Sequence, residues 1–127
     1  MTGETTSAMD TAVSYYRAWT SGDIDGAMSL VADGVTCHAP PGTLTGMPAL
    51  QAFMGPFAAS LTRSELLAAY GSDDEALIMY DTANPAVASA PGAEFYRLED
   101  GRIVEIRIIF DRLPFALARG DVVQAQQ

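Results

Sequence analysis

The sequence predicts an α+β domain in which helices pack on one face of an antiparallel sheet. Three observations predict it. Apolar residues recur at helical spacing in three segments between Ser7 and Leu61. From Glu65 to Asp111 the chain reads instead as strands punctuated by turn residues. Helices first and a meander afterwards is the α+β order, and 127 residues suit one domain.

The first helix is expected over Ser7 to Ser21. Met9, Val13, Tyr16 and Thr20 keep helical spacing, and Ala12, Tyr15 and Trp19 widen the stripe into a buried face. Gly22 ends it and Asp23 caps the next helix. That second helix turns Ile24, Ala27, Met28 and Val31 inward and stops near Asp33-Gly34. Val35 to Ala39 is a short strand, and Pro40-Pro41-Gly42 must turn. Gly46-Met47-Pro48 starts a third amphipathic helix, with Leu50, Phe53, Met54, Phe57 and Leu61 on one side. Pro56 lies inside it, so a kink or break is expected there.

Glu65 to Tyr70 and Glu75 to Ala83 are strands, and Asn84 to Gly92 is a small-residue loop or irregular hairpin. Glu94 to Leu98 and Arg102 to Asp111 are strands joined by a tight turn at Glu99-Asp100-Gly101. Pro114 ends the sheet. The single domain therefore spans residues 7–115, with flexible termini at 1–6 and 116–127.

Composition limits the function classes. Seven basic against 16 acidic residues give a net charge of −9, the wrong sign for nucleic acid or an anionic membrane surface. Hydrophobic residues make up 49% of the chain and charged ones 18%, which points to a buried apolar site or a buried subunit interface. One cysteine, Cys37, and one histidine, His38, leave no disulfide and no two-histidine metal centre, so neither a metal nor a cofactor is expected. Residues 1–6 lack the basic and apolar regions of a signal peptide, and no apolar run reaches bilayer length, so a soluble, cytoplasmic protein is expected.

Five segments carry a resemblance: Tyr15 to Asp23, Val31 to Val35, Pro41-Gly42 through Gly46 with the helix that follows, Phe95 to Ile103, and Arg107 to Asp111. Together they resemble nuclear-transport-factor-two-like proteins of the SnoaL-like polyketide cyclase and ketosteroid isomerase-like group. The resemblance implies a cystatin-like roll, a curved sheet wrapped around the N-terminal helices to leave a conical pocket. Proteins of this fold include isomerases, cyclases, dehydratases, epoxide hydrolases and binding proteins. On the ketosteroid isomerase pattern the oxyanion tyrosine falls on Tyr15, the acidic oxyanion donor on Glu94 and the base on Ala39, which accepts no proton. On the limonene epoxide hydrolase pattern the general base falls on Ile108, while Arg107 and Asp111 match the strand ending.

If Glu94 faces the cone, alternation brings Tyr96 and Leu98 with it. Ile106, Ile108 and Phe110 share one face of the last strand, and Leu77, Met79 and Asp81 share a face of the strand before the loop. The expected catalytic candidates are Glu94, Asp81, Tyr15 and His38. The expected substrate-binding residues are Tyr96, Trp19, Phe110, Met79, Ile108, Phe53 and Phe57. A carboxylate in such a wall is desolvated, which raises its pKa toward neutrality. Each candidate has a structural alternative. Asp81 precedes a loop and can bond its own backbone. Tyr15 can be core. His38 can be exposed, because alternation turns it away if Ala39 faces the cone. Cys37 reads as a small core residue, and the methionines as core filling.

Arg97, Arg102, Glu105 and Arg107 read as cross-strand ion pairs. Ile109 and Tyr80, expected on the outer face, would be costly to leave wet, which favours a homodimer through the sheet. The first reading is thus a cofactor-free acid/base enzyme acting on a small apolar carbonyl-bearing or polycyclic compound. The others are a non-catalytic binder of small hydrophobic ligands, an epoxide hydrolase, and an assembly module with a plugged cone.

Overall fold

The computed structural model describes residues 7–120. Its elements run α1 (Ala8–Thr20), α2 (Ile24–Met28), β1 (Val31–Ala39), β2 (Gly42–Thr45), α3 (Met47–Ser60), β3 (Arg63–Gly71), β4 (Glu75–Ala83), β5 (Ala90–Glu99), β6 (Arg102–Phe110) and α4 (Leu113–Arg119). One mixed six-stranded sheet has the order β2-β1-β6-β5-β4-β3. Only the β1–β6 pair is parallel. Register shifts in β1–β6, β3–β4 and β5–β6 insert extra residues and bend the strands. The sheet is thereby curved and open, and α1 and α3 lie in its hollow, α1 against β3 and β4, α3 against β1 and β2.

The helix ends follow from local chemistry. The Ser7 hydroxyl accepts from the Asp10 amide at 3.1 Å, and the Asp23 carboxylate accepts from the Gly26 amide at 2.9 Å. Gly22, at φ 90°, releases the chain between them. The second helix stops at Met28, short of the expected Asp33-Gly34. The Leu30 carbonyl accepts from the Ile103 amide at 3.0 Å, which draws the chain beside β6 and makes Val31 to Gly34 a strand. Val31 is buried either way, so helical spacing could not tell the two apart.

The hairpin strand β2 was not expected, being only four residues long. The helix α3 follows Gly46 (φ 89°) as its N-cap, has proline in its first turn as expected, and continues through Pro56 to Ser60 without a break. The β5–β6 turn places Asp100 and Gly101 at φ 52° and 77°, as a two-residue hairpin turn requires.

The largest departure lies after Pro114. Residues 113–119 are helical rather than frayed. The Asp111 carboxylate accepts from the Leu113 amide at 2.9 Å, Pro114 sits in the first turn, and Gly120 closes the helix at φ 79°. Of the flexible ends expected at 1–6 and 116–127, residues 1–6 and 121–127 lie outside the described residues. Among the described residues no helix is long and apolar enough to cross a membrane.

Candidate functional site

Inside the curved sheet, β4 points Ala76, Ile78, Tyr80 and Thr82 inward, and β5 points Ala90, Gly92, Glu94, Tyr96 and Leu98 inward. A cavity of about 400 Å³ opens beside them, within the range of small-molecule sites. Its apolar wall comes from Phe53, Met54 and Phe57 of α3, Ile108 and Phe110 of β6, and Phe115 of α4. Phe115 packs on Phe110 and Phe57, with ring centroids 5.5 and 6.4 Å away, so α4 closes one side. Its polar points are Tyr80, Thr82 and Glu94 within, and Arg112 and Arg119 on exposed α4.

Glu94 is 1% exposed. Its Oε2 accepts from the Tyr80 hydroxyl at 2.5 Å and its Oε1 from the Tyr96 hydroxyl at 2.6 Å. Burial raises its proton affinity and the two tyrosine hydrogen bonds partly offset this; the net direction is up. Burial and the charge of Glu94 push both tyrosines well above the ordinary phenol value, so they remain donors. The register explains how Tyr80 reaches Glu94. Tyr80 pairs with Gly92, and a Cβ at Gly92 would stand 3.1–3.2 Å from the tyrosine ring and hydroxyl. The missing side chain lets the ring lie across β5 with its hydroxyl one inward position along, at Glu94.

The other expected residues divide three ways. Phe53, Phe57, Ile108 and Phe110 line the cavity together with Glu94. Ile108 offers only hydrocarbon where the epoxide hydrolase pattern has its base, and Ala39 stands on the inward side of β1. Tyr15, Trp19 and Tyr96 are fully buried behind the cavity and do not line it. Tyr15 meets the Tyr96 ring edge-on, at 5.7 Å between centroids, and its hydroxyl has no hydrogen-bond partner among the described residues. Trp19 packs on Tyr80 and Phe57. Cys37 is also core, with burial and the charge of Glu94 raising its thiol to about 12.

Asp81, Met79 and His38 lie on the opposite face of the sheet. The expected β4 register is off by one residue, because both faces of that strand carry large apolar side chains and period-2 spacing fits either. Met79 is 47% exposed. Asp81 accepts from Arg63 at 2.7 Å and from Ser89 at 2.9 Å, which lowers its pKa. The same slip moves Tyr80 inward from the outer face. His38 lies 3.3 Å from Glu105, which also holds Arg97 at 3.2 Å, in a cross-strand charge ladder. Tyr80, Met54, Thr82, Arg112 and Phe115 were not anticipated as site residues. A glycine across from one β4 tyrosine is the signal that singles out Tyr80. Asp111, Pro114 and Gly120 are start and stop signals for α4.

The profile of the SnoaL-like domain family matches residues 12–106. A crystal structure of a protein from Kribbella flavida DSM 17836 is 50% identical, covers 92% of this chain and 97% of that one, and superposes with a TM-score of 0.89. A protein of unknown function with a cystatin-like fold from Xanthomonas campestris is 25% identical over 89% of this chain and 98% of that one, with a TM-score of 0.78. A SnoaL-like protein of unknown function from Burkholderia thailandensis, 21% identical over 79% of this chain and 90% of that one, has a TM-score of 0.67 and speaks to the fold alone. No curated protein matches the chain. The curved sheet, the helices in its hollow and the match over residues 12–106 lead to one assignment: the chain belongs to the SnoaL-like domain family.

Proposed function

We propose that the protein is a cofactor-independent acid/base enzyme that moves a proton on a small, apolar, carbonyl-bearing compound, by isomerisation or ring closure. One observation carries this reading. Glu94 is a fully buried carboxyl in an apolar cavity, with its pKa raised and two tyrosine hydroxyls holding its oxygens.

The Glu94 carboxylate takes a proton from the carbon beside the carbonyl. The C–H electron pair moves toward the carbonyl oxygen, giving an enolate. As Glu94 gains the proton it becomes a weaker acceptor, and the Tyr80 hydroxyl turns to the new oxyanion. Protonated Glu94 then returns the proton, either to another carbon of the conjugated system or to the alkoxide formed when the enolate attacks a second carbonyl. The same proton is taken and given back, so the atoms balance with a single carboxyl. Among the described residues Glu94 is the one acid that lines the cavity, which favours this one-base chemistry over a scheme with separate acid and base carboxylates.

A co-crystal structure with 2-tetralone, an apolar bicyclic ketone, tests the reading. The expected pose puts the ketone oxygen within hydrogen-bond distance of Tyr80 and an α-carbon against Glu94. A ketone bound with its carbonyl toward the exposed arginines contradicts it. Ala39, which lacks the acid of the isomerase pattern, favours a second reading as a non-catalytic carrier. In that case 2-tetralone binds without exchanging its α-hydrogens.

A further inference from the structure

The two hydrogen bonds on Glu94 are not equivalent. Tyr80 reaches Oε2 from β4, and both Tyr80 and Glu94 line the cavity. Tyr96 reaches Oε1 along β5 itself, from the next inward position, and stands behind the cavity without lining it. Tyr80 has the cavity on one side and the rings of Tyr16 and Trp19 on the other, with centroids 5.3 and 5.7 Å away. Tyr96 is fully buried, with Tyr15 edge-on to its ring and the buried Ala76 and Ile106 as its neighbours across the sheet. A ligand in the cavity meets the Tyr80 hydroxyl and not that of Tyr96.

We propose that Oε2 is the oxygen of Glu94 that takes and returns the proton, and that Tyr96 is a positioning residue that holds Oε1 away from the ligand. The inference rests on the reading of Glu94 above and gives its two oxygens separate tasks. In the transfer the C–H bond beside the carbonyl breaks, an O–H bond forms at Oε2, and the electron pair passes to the carbonyl oxygen. Oε1 becomes the bare oxygen of the acid and keeps its bond from Tyr96. A carboxyl turns easily about its last side-chain bond. Here that turn would set the new O–H against the Tyr96 donor and carry the proton out of the ligand's reach. The 2.6 Å bond therefore keeps the proton facing the carbon that takes it back.

The same bond favours the ionised carboxyl, so its loss moves the titration of Glu94 upward. The other titratable groups that feel the charge of Glu94 are Tyr15 and Tyr16 of α1, Cys37 of β1, Tyr80 and Tyr96. Burial raises all five, so each keeps its proton where Glu94 loses it. The residues of α3 and β6 that line the cavity do not titrate, and Arg112 and Arg119 border it at its exposed rim.

The Tyr96→Phe variant, which keeps the ring, tests this through the pH profile of α-hydrogen exchange on 2-tetralone in deuterium oxide. The midpoint should move up by about one pH unit. The limiting rate above both midpoints should fall about tenfold, with the ketone affinity of the wild type by calorimetry. Tyr80→Phe should instead lower the limiting rate about a hundredfold and weaken ketone binding. A structural role alone would lower the melting temperature and leave the midpoint in place. A folded Tyr96→Phe protein with the wild-type midpoint therefore overturns the inference, and the reading of Glu94 stands if Glu94→Gln still slows exchange. The wild-type complex with 2-tetralone gives a second test that needs no variant. Oε2 should face the α-carbon with Tyr96 still on Oε1, and an α-carbon nearer Oε1 overturns the inference. Equal exchange by the wild type and Glu94→Gln overturns the inference and the reading together.

Discussion

At the scale of single residues, Glu94 sets a trade between stability and chemistry. Its proton affinity is higher in the folded chain than in the unfolded one. Below the ordinary glutamate value both states are protonated and the folded state loses nothing. As pH rises through the folded-state value the buried carboxyl must ionise, and that part of the stability is lost. Glu94→Gln should therefore melt about 3–6 °C above the wild type at pH 7, with the gap closing toward pH 4 in thermal melts followed by circular dichroism. The two tyrosines at positions 15 and 80 should part company in the same way. Tyr15→Phe removes a buried hydroxyl with no partner, so its stability should hold or rise by about 1 kcal/mol. Tyr80→Phe removes a donor from the cavity wall and should slow ketone α-hydrogen exchange about a hundredfold, while Tyr15→Phe leaves that rate unchanged. Glu94 was legible in the sequence because the resemblance put it on the inward face of its strand. Tyr80 was not, because a strand with two apolar faces gives alternation no preferred phase.

At the scale of elements, the site depends on a strand pair and a short helix. Gly92 leaves room for the Tyr80 ring on β5, and a methyl there meets ring atoms at 3.1–3.2 Å. Gly92→Ala should push the tyrosine hydroxyl off Glu94 by a few tenths of an ångström. The expected cost is about tenfold in exchange rate, in a protein whose circular dichroism spectrum is unchanged. The helix α4 completes the wall through Phe115 and carries both rim arginines. It was hidden because Pro114 reads equally well as the end of a sheet and the start of a helix. The strand β1 was foreshortened for a related reason: helical and strand spacings both bury Val31, and the hydrogen bond from Ile103 to Leu30 decides between them. By contrast, α1 and the β5–β6 turn were legible because their capping and turn residues act through neighbours in sequence.

At the scale of the whole molecule, the apolar surplus has two destinations. One is the cavity and the core behind it. The other is the outer sheet face, where Tyr70 and Ile109 are 70% and 66% exposed and Leu67, Leu77 and Met79 about half. Two copies of net charge −9 repel each other across most approaches, whereas on this face Arg63, Arg97 and Arg107 pair with carboxylates. We propose that it pairs with a second copy; of the two residues expected to favour such a pairing, Ile109 lies on this face and Tyr80 points inward. Ile109→Lys and Met79→Lys should each convert a dimer to a monomer in light scattering, with the cavity chemistry retained. A wild-type chain that is monomeric at high concentration contradicts this pairing.

The central claim is that Glu94 carries protons to and from carbon inside the cavity. Proton NMR of 2-tetralone in deuterium oxide reads this step directly, as loss of the α-hydrogen signals over time. The wild-type protein should accelerate exchange over buffer, more strongly as pH rises through a value above that of an ordinary glutamate. Glu94→Gln should lower that acceleration by about a hundredfold or more. Equal exchange rates for the wild type and the Glu94→Gln variant, in proteins that both bind the ketone, would contradict the claim.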